Sequence, residues 1–445
     1  MAEIRPFRGL YYDADVVGDV GRVIAPPYDV INGSQQCQLL TSHPRNIVRL
    51  ILPEVPSSEY PWQERAASTF RDWKEDGVFR VSPREAIYLY RQSFPGPDGR
   101  LCDRIALIAL YRLKEPGGGE IYPHERTFPQ VTRDQLELLR RCRANFSQVF
   151  SLFRDEEEYR DILRERALPA GHKLLEFRFP ADTVNQLLAL EDPGLQRELA
   201  SMLGEGGVFI ADGHHRYETA LIYRDECRKA ESSTSDALPC DFISMAFVGI
   251  NDPGLVLLPV HRLIGETGRS SAELLSELAS GGNLEEVVRR GWEEAVRAAA
   301  DMVVSNQEGT LFGVVVPDRA YLFCPAGVEE LEVHTTGGVA GAPLLDVTVL
   351  HRLVLERILG LQEEGCAGSE TSFSIRYTID LEEIMQALSS GVADIAFLQK
   401  SPSVEQAWQL ASLGLKMPHK STYFHPKMPS GLVIYDHEVP PVVSP

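Results

Sequence analysis

The residues best suited to chemistry in this chain follow an apolar run near its middle. Val208–Ala211 leads into a short polar turn, and a helix-like pattern follows that turn. In a strand–turn–helix connection the backbone N–H groups of the first helical turn aim at one point, where the helix dipole adds roughly half a positive charge. Two histidines and an arginine bring further donors to the same place. The sequence therefore predicts a phosphate-binding turn made of Asp212, Gly213, His214, His215 and Arg216.

Phosphoryl transfer is one use of such a turn. His215 and Arg216 would neutralise the charge of a phosphate, and Asp212 would hold Mg²⁺ or take a proton from an attacking hydroxyl. This chemistry depends mainly on positioning and charge stabilisation, which a turn, a cation and a carboxylate supply. Asp212 and His215 are therefore candidate catalytic residues.

Two other interpretations of the turn stay open. His214 and Glu218, one helical turn apart, could join His124 or Glu125 in binding a transition metal for hydrolysis. Adjacent histidines point about 100° apart on a helix, so the His-His pair alone is a poor chelate. In the third interpretation the turn is merely polar and its histidines cap the helix. The sequence has no G-x-x-x-x-G-K-[ST], no G-x-G-x-x-G after a strand and no G-x-S-x-G.

A second polar cluster precedes another helical pattern. His124 and Glu125 could supply acid–base or metal-binding groups, and Arg133 could contact an anion. Thr132 is predicted to cap the helix, with Gln135 at the capping-box position. The arginines that follow are equally consistent with a solvated helix face.

Three further loops combine charge with rigidity. Pro26 and Pro27 stiffen a short loop, a polar pair follows the strand predicted over Leu255–Leu258, and Pro418 and Pro426 frame a basic, hydroxyl-rich loop. Each is also consistent with an ordinary turn or surface loop. As substrate contacts they offer Tyr28, Asp29, His261, Arg262, Lys420, Ser421 and Thr422, in addition to His124 and Arg133.

Periodicity and turn signals predict a mixed α+β protein, because helical patterns alternate with apolar strand-like runs. The chief predicted helices cover Trp62–Lys74, Thr183–Leu203, Ser270–Ser305 and Leu345–Leu359. The chief predicted strands cover Val23–Ala25, Ala86–Phe94, Arg104–Leu113, Leu174–Phe179, Val208–Ala211, Phe242–Ile250 and Gly431–Tyr435. Four regions are expected: an N-terminal α+β region with a hairpin (1–115), a core with the polar turn (116–265), a helical and hairpin subdomain (266–335) and a C-terminal α/β region (336–445).

Composition limits the classes of partner. At 445 residues the chain exceeds the roughly 250–300 that one hydrophobic core supports. Its formal net charge of -20, without a run of basic residues, argues against nucleic acid. Seven scattered cysteines without a C-x-x-C fit a reducing compartment. No apolar run reaches the length of a membrane span. We expect a cytoplasmic protein with no membrane partner, and self-association as a homodimer stays open.

Several motifs together resemble domain-of-unknown-function family 1015. They are RVIAPPYDVI, YPHERT, FIADGHHRYETAL, DPGLVLLPVHRL and MPHKSTYFHPK. They occur in the order that is usual in the family and span nearly the whole chain. The sequence is therefore identified as a member of that family.

The ADGHHR turn is in addition similar to the phosphate-binding turn of the ParB/sulfiredoxin-like fold, which free L-serine kinases share. The resemblance implies a ParB/sulfiredoxin-like core and Mg²⁺-dependent transfer of a phosphoryl group from ATP or ADP to a small hydroxyl compound, with free L-serine as the best guess. By this analogy the turn holds the nucleotide phosphates, and Glu125, or else Asp29, accepts the hydroxyl proton. A nucleotide-binding sensor without turnover and a metal-dependent hydrolase are the alternatives.

Overall fold

The chain divides into two units, each of which is described by itself. The computed structural model describes residues 3–52, 61–125, 127–203, 206–230, 237–335, 339, 342–361, 373–418 and 420–439. Unit 1 consists of Met1–Pro123, Thr127–Val256 and Pro426–Pro445, and unit 2 consists of His124–Arg126 and Leu257–His425. The four-region division expected from the sequence stays a prediction.

In the described part of unit 1, nine strands form one mixed sheet. They are β1 (Ile4–Arg5), β2 (Ile87–Pro95), β3 (Leu101–Arg112), β4 (Ile121–Pro123), β5 (Val149–Phe153), β6 (His172–Arg178), β7 (Val184–Leu190), β8 (Val208–Asp212) and β9 (Phe242–Gly249). The sheet order is β4-β8-β5-β9-β3-β2-β7-β6, and β1 pairs with β3. Parallel and antiparallel neighbours both occur, which confirms the mixed α+β class.

Strand β8 carries the polar turn at its end. It runs parallel to β4, with Ile210 opposite Pro123, and antiparallel to β5. The register with β5 shifts between Ile210 and Asp212, as in a β-bulge. Bulges re-aim the chain at strand ends, often next to functional sites. Val208, Phe209 and Ile210 are fully buried, so packing fixes the strand that leads into the turn.

Helices make up much of the rest of this unit. Those of unit 1 are Ala14–Val17, Gly33–Ser42, Val48–Ile51, Trp62–Glu75, Pro129–Cys142, Glu157–Asp161, Leu168–Ala170, Pro193–Leu203 and His214–Ala230, with 3-10 turns at Val20–Arg22, Tyr28–Val30 and Pro239–Asp241 and a π-helical turn at Ile162–Ala167. Small two-stranded pairs join Leu10–Tyr12 to Phe79–Val81 and Tyr435–Asp436 to Ala144–Asn145.

Some element predictions for unit 1 are wrong. Thr132, predicted as the N-cap of a helix, lies inside that helix, which begins at Pro129 because proline is well suited to the first helical position. The segment predicted as mostly helical from Thr183 is a strand as far as Leu190, since its pairing with β2 and β6 outweighs local propensity. The segment Val23–Ala25 makes one isolated bridge, between Ala25 and Ser430.

Unit 2 contains a second sheet, six-stranded over the residues that the structure describes. Its strands are β10 (His261–Gly265), β11 (Gly282–Glu286), β12 (Phe312–Val316), β13 (Arg319–Pro325), β14 (Ser374–Thr378) and β15 (Ile395–Leu398), in the order β11-β13-β12-β15-β10-β14. Strand β11 lies inside the stretch predicted as helical over Ser270–Ser305. It pairs with β13 along its whole length, and this tertiary pairing was not visible in the sequence.

The helices of unit 2 cover both sides of its central strands, and two buried clusters of side chains surround them. The helices are Ser271–Gly281, Trp292–Ser305, Val328–Thr335, Asp346–Val349, Leu381–Ser389 and Val404–Ser412, with π-helical turns over Leu350–Ile358. Two more short strands are Val256–Leu258 and Tyr423–His425. In the described residues, no helix is both long and apolar enough to cross a membrane.

Candidate functional site

The predicted strand–turn–helix connection is confirmed. Strand β8 ends at Asp212, and the helix begins at His214. Gly213 between them has φ +94°, a left-handed conformation that favours glycine. A Cβ atom at this position would lie 2.9 Å from the Arg216 guanidinium. Glycine therefore allows both the tight turn and the close approach of the arginine.

A carboxylate and two cations meet at this turn. Arg216 Nη2 donates to Asp212 Oδ2 at 2.8 Å, and Lys427 Nζ donates to Asp212 Oδ1. Arg216 Nη1 also donates to the backbone carbonyl of Gln148. The three charged side chains are only 12–13% exposed. Because two cations share one carboxylate, this largely buried cluster has a formal charge of +1 in a chain whose net charge is -20.

The guanidinium of Arg216 retains one unused donor. Its Nε is buried and has no hydrogen-bond partner among the described residues. A buried donor without an acceptor costs about 1–3 kcal/mol. An oxyanion at the turn would supply the missing acceptor, together with the favourable charge.

The two histidines of the turn have different surroundings. His214 is buried, whereas His215 is half-buried and stacks on Phe128 with ring centroids 6.0 Å apart. Thr132 Oγ1 lies 3.5 Å from His215 Nδ1. The helix that begins at Pro129 thus orients His215, and the threonine contacts the imidazole instead of capping its own helix.

Tyr28 lies beside the same turn. It lines a small cavity of about 50 Å³ together with Arg216, Thr219 and Asn145. Burial raises the pKa of Tyr28, a neighbouring Asp29 carboxylate raises it further, and Arg216 opposes the rise. The phenol therefore stays protonated and can donate a hydrogen bond. Asp29 itself is exposed.

Arg133 does not join this group. It is exposed on the helix Pro129–Cys142, whereas Thr132, one residue earlier, is buried against His215. A residue about 100° round the helix from a buried one faces another direction. Its role as an anion contact stays a prediction.

In unit 2, residues almost 300 positions apart come together. Glu125 Oε1 accepts a hydrogen bond of 2.8 Å from the backbone N–H of Lys420. His124 Nε2 lies 3.4 Å from Thr422 Oγ1, and the His124 carbonyl accepts from the Met417 N–H at 2.8 Å. These contacts bring two predicted polar segments into one cluster. His419, in the same loop, lies outside the described residues.

Arg262 holds the backbone of the loop that contains Lys420. It is completely buried, and Nη2 donates to the Lys420 carbonyl at 3.1 Å. Its guanidinium also lies 5.0 Å from the Tyr377 ring centroid, a cation–π distance. Ser421 Oγ donates to the Pro418 carbonyl at 2.5 Å. The arginine and the serine thus hold the backbone of the loop that was predicted to contact substrate.

His261 has different neighbours from Arg262. Its Nδ1 accepts a hydrogen bond of 3.3 Å from the Gln399 N–H. Burial, assisted by the neighbouring charge of Arg262, lowers the pKa of His261 to about 4. The imidazole is therefore neutral at physiological pH, and its observed contact is structural.

Among the described residues, no group of three or more His, Cys, Asp or Glu side chains could hold a metal ion. A transition-metal site of the kind considered for His214 and Glu218 therefore lacks a ligand set there. A Mg²⁺ site needs fewer protein ligands, since one or two carboxylates and the substrate phosphates are enough. Both oxygens of Asp212 are already engaged by cations, however, so this arrangement fits an anion better than Mg²⁺.

A family described as "Protein of unknown function (DUF1015)" matches residues 4–348. The chain belongs to this family. None of the curated proteins matches it significantly.

Solved structures resemble this DUF1015 chain only distantly. A free serine kinase variant in complex with AMP is 13% identical, over 68% of this chain and 83% of its own, with a TM-score of 0.33. A conserved hypothetical protein from Pyrococcus furiosus is 13% identical, over 70% and 90%, with a TM-score of 0.32. A C-terminally truncated SbnI from Staphylococcus aureus is 11% identical, over 69% and 79%, with a TM-score of 0.31. The ParB/sulfiredoxin-like core stays a prediction.

Sequence reasoning missed two groups in this DUF1015 site. Lys427 was visible as part of a basic loop, but nothing local connected it with Asp212. Phe128, which stacks on His215, precedes the proline that begins the helix. A proline at the first position of a helix also restricts the backbone conformation of the residue before it. The position of Phe128 directly before Pro129 was therefore the available signal in the sequence.

Proposed function

We infer that the Asp212–Arg216 turn binds the phosphates of a nucleotide, and that the protein transfers a phosphoryl group from ATP or ADP to a small hydroxyl compound. The observation that carries this proposal is the cluster of Arg216, Asp212 and Lys427 at the start of a helix. Two cations, held by one carboxylate beside the N–H groups of a helical turn, form a preorganised anion site. The unused Nε of Arg216 supports the same assignment.

In this proposal each residue has a stated task. Arg216 and Lys427 neutralise phosphate oxygens, and Asp212 holds the two cations in place before the ligand arrives. His215, oriented by Phe128 and Thr132, donates to a phosphate oxygen. Preorganisation of this kind lowers the barrier because the charges need not reorganise during the reaction. Mg²⁺ that arrives with the nucleotide would offset part of the charge of the phosphates.

Glu125 is proposed to accept the hydroxyl proton. Glu125 is preferred as the base because it lies in one polar motif with His124 and Arg126. Free L-serine as acceptor comes from the resemblance of the turn to that of free L-serine kinases. His124, Lys420 and Thr422, which cluster with Glu125, are proposed acceptor contacts, and Asp29 is the alternative base.

The test is a direct assay of transfer. Purified protein is incubated with Mg²⁺, ATP or ADP and a panel of free amino acids and small alcohols, and phosphorylated products are identified by mass spectrometry. The proposal expects one phosphorylated acceptor, with O-phosphoserine first. Glu125→Gln should lower its rate about 100-fold or more, whereas the exposed Asp161→Asn should not. Folded protein that yields no product from any acceptor would remove the transferase assignment.

A second candidate is a nucleotide-binding sensor without turnover. It is favoured by one observation: both carboxylate oxygens of Asp212 are engaged by Arg216 and Lys427, which suits fixed binding of an anion. Calorimetry would then show saturable nucleotide binding, while the transfer assay shows no product. The two measurements together separate the candidates.

A further inference from the structure

Unit 2 contains a polar cavity that none of the motifs discussed above includes. Its volume is about 480 Å³, within the range of small-molecule sites. The polar side chains of its lining include Thr310, Asp346, Lys400, Ser401 and a second carboxylate, Glu329, and apolar residues such as Val347 and Pro402 complete the wall. The cavity therefore combines opposite charges with apolar surface.

Asp346 is the most constrained of these groups. Its side chain is 12% exposed, and Oδ1 accepts a hydrogen bond of 3.0 Å from Thr310 Oγ1. Oδ2 lies 3.5 Å from Lys400 Nζ, yet it has no hydrogen-bond partner among the described residues. Burial raises the pKa of Asp346, which Lys400 and Thr310 oppose. A buried carboxylate oxygen without a donor is costly, and a cationic ligand group would remove that cost.

The lining of the cavity also supplies a cation and a hydroxyl. Lys400 is 33% exposed, so its ammonium can reach a ligand through a flexible four-carbon chain. Ser401 Oγ is buried and, within the described part of the chain, has no hydrogen-bond partner. The Ser401 hydroxyl without a hydrogen-bond partner, and Asp346 Oδ2 with its long contact to Lys400, give a ligand two positions at which it can improve the polar contacts.

We propose that this cavity binds a free α-amino acid. The ammonium group of the ligand donates to Asp346 Oδ2 and Ser401 Oγ, and its carboxylate pairs with Lys400. The ligand then replaces the long Asp346–Lys400 contact with two charge-assisted hydrogen bonds, which are stronger than neutral ones.

The charges of the lining favour an amino acid over simple anions and cations. A phosphate or another simple anion would meet the Asp346 carboxylate, and a simple cation would meet Lys400. Since described residues include no cluster of three metal-ligand side chains, a metal ion is a poor occupant as well. A zwitterion satisfies Asp346 and Lys400, and the volume leaves space for a side chain. The second carboxylate of the lining, Glu329, further disfavours a simple anion.

Isothermal titration calorimetry of the 445-residue chain without nucleotide tests the binding of amino acids, so the outcome does not depend on the proposed transferase activity. The probes are the twenty common amino acids. At least one should bind with a Kd below about 1 mM. Asp346→Asn and Lys400→Met should each weaken that binding at least tenfold. Glu356→Gln and Arg352→Met, which alter an exposed ion pair in the same unit, should not.

Two analogues of the best ligand keep the test informative even if a variant folds poorly. Its N-acetyl derivative lacks the ammonium charge and its methyl ester lacks the carboxylate, so each should bind wild-type protein at least tenfold more weakly. No binding by any amino acid would overturn the proposal. Undiminished binding by the N-acetyl derivative, or by well-folded Asp346→Asn and Lys400→Met, would overturn it as well.

Discussion

Lys427 and Asp212 form an ion pair across 215 positions of the chain. The segment that carries Lys427 is fixed within unit 1 by backbone hydrogen bonds, from Ser430 to the Ala25 carbonyl and from Gly431 to the Phe146 carbonyl, both 2.8 Å. Buried Arg104 also donates to the Pro426 carbonyl at 2.5 Å. The lysine is therefore held beside the turn by its own segment, and it does not depend on Asp212 alone for its position.

Replacing Lys427 should weaken phosphate binding specifically. In Lys427→Met one of the two cations is lost, and we expect nucleotide affinity to fall at least tenfold, about 1.4 kcal/mol, because hydrogen bonds to charged groups contribute this much or more. Calorimetric titration with ADP measures it. Lys173→Met removes an exposed lysine that pairs with Glu176, and it should leave affinity unchanged. Equal affinities in both variants would contradict a role for Lys427.

Gly213→Ala tests whether the conformation of the turn matters. With φ +94° and a Cβ position 2.9 Å from the Arg216 guanidinium, alanine is strained and displaces the arginine. We expect a loss of about 1–2 kcal/mol in the free energy of unfolding and a fall in nucleotide affinity. Denaturant unfolding and calorimetry give the two values.

Gly33→Ala is the matched control for that substitution. Gly33 is the first residue of a helix, and a Cβ atom there meets open space. Alanine should be neutral or slightly stabilising at this position. If the two alanine variants behaved alike, the special conformation of Gly213 would have no consequence.

Asp212→Asn separates catalysis from binding. The amide keeps the shape of the side chain but loses the charge that holds Arg216 and Lys427. In a transferase, turnover should fall about 100-fold, since misplacing preorganised charges costs several kcal/mol. In a sensor, affinity should stay the same or rise, because the two cations are released for the phosphate. Asp161→Asn, an exposed carboxylate on the same unit, controls for net charge.

How much of this site the sequence could predict depends on how local each feature is. The strand, the glycine and the helix start around Asp212 follow from periodicity and turn chemistry, and they were predicted correctly. The hairpin of β2 and β3 was also predicted, because a Gly/Pro-rich tip separates two apolar runs.

Features that depend on distant pairing were not predictable. Val184–Leu190 is a strand because β2 and β6 lie on either side of it, and its own composition did not reveal this. Likewise, Lys427 meets Asp212, and Glu125 meets Lys420, only through the tertiary fold. A contact across hundreds of residues is determined by packing of whole elements, which local propensity does not encode.

His261 predicts how the stability of unit 2 depends on pH. Its pKa is lowered from 6.5 to about 4 by burial and by Arg262, so the folded state stays neutral while the unfolded chain takes up a proton. Its contribution to stability is therefore complete above about pH 6.5 and is lost as the pH falls towards 4, by roughly 3 kcal/mol at most. His261→Gln should flatten this part of the stability curve, measured as urea unfolding midpoints between pH 7 and 4. His437 in unit 1 has a similarly lowered pKa, so His437→Gln is the control, and it should leave the unfolding transition of unit 2 unchanged. Parallel stability curves for the wild type and His261→Gln would contradict the prediction, because the burial of a neutral His261 would then have no effect on folding.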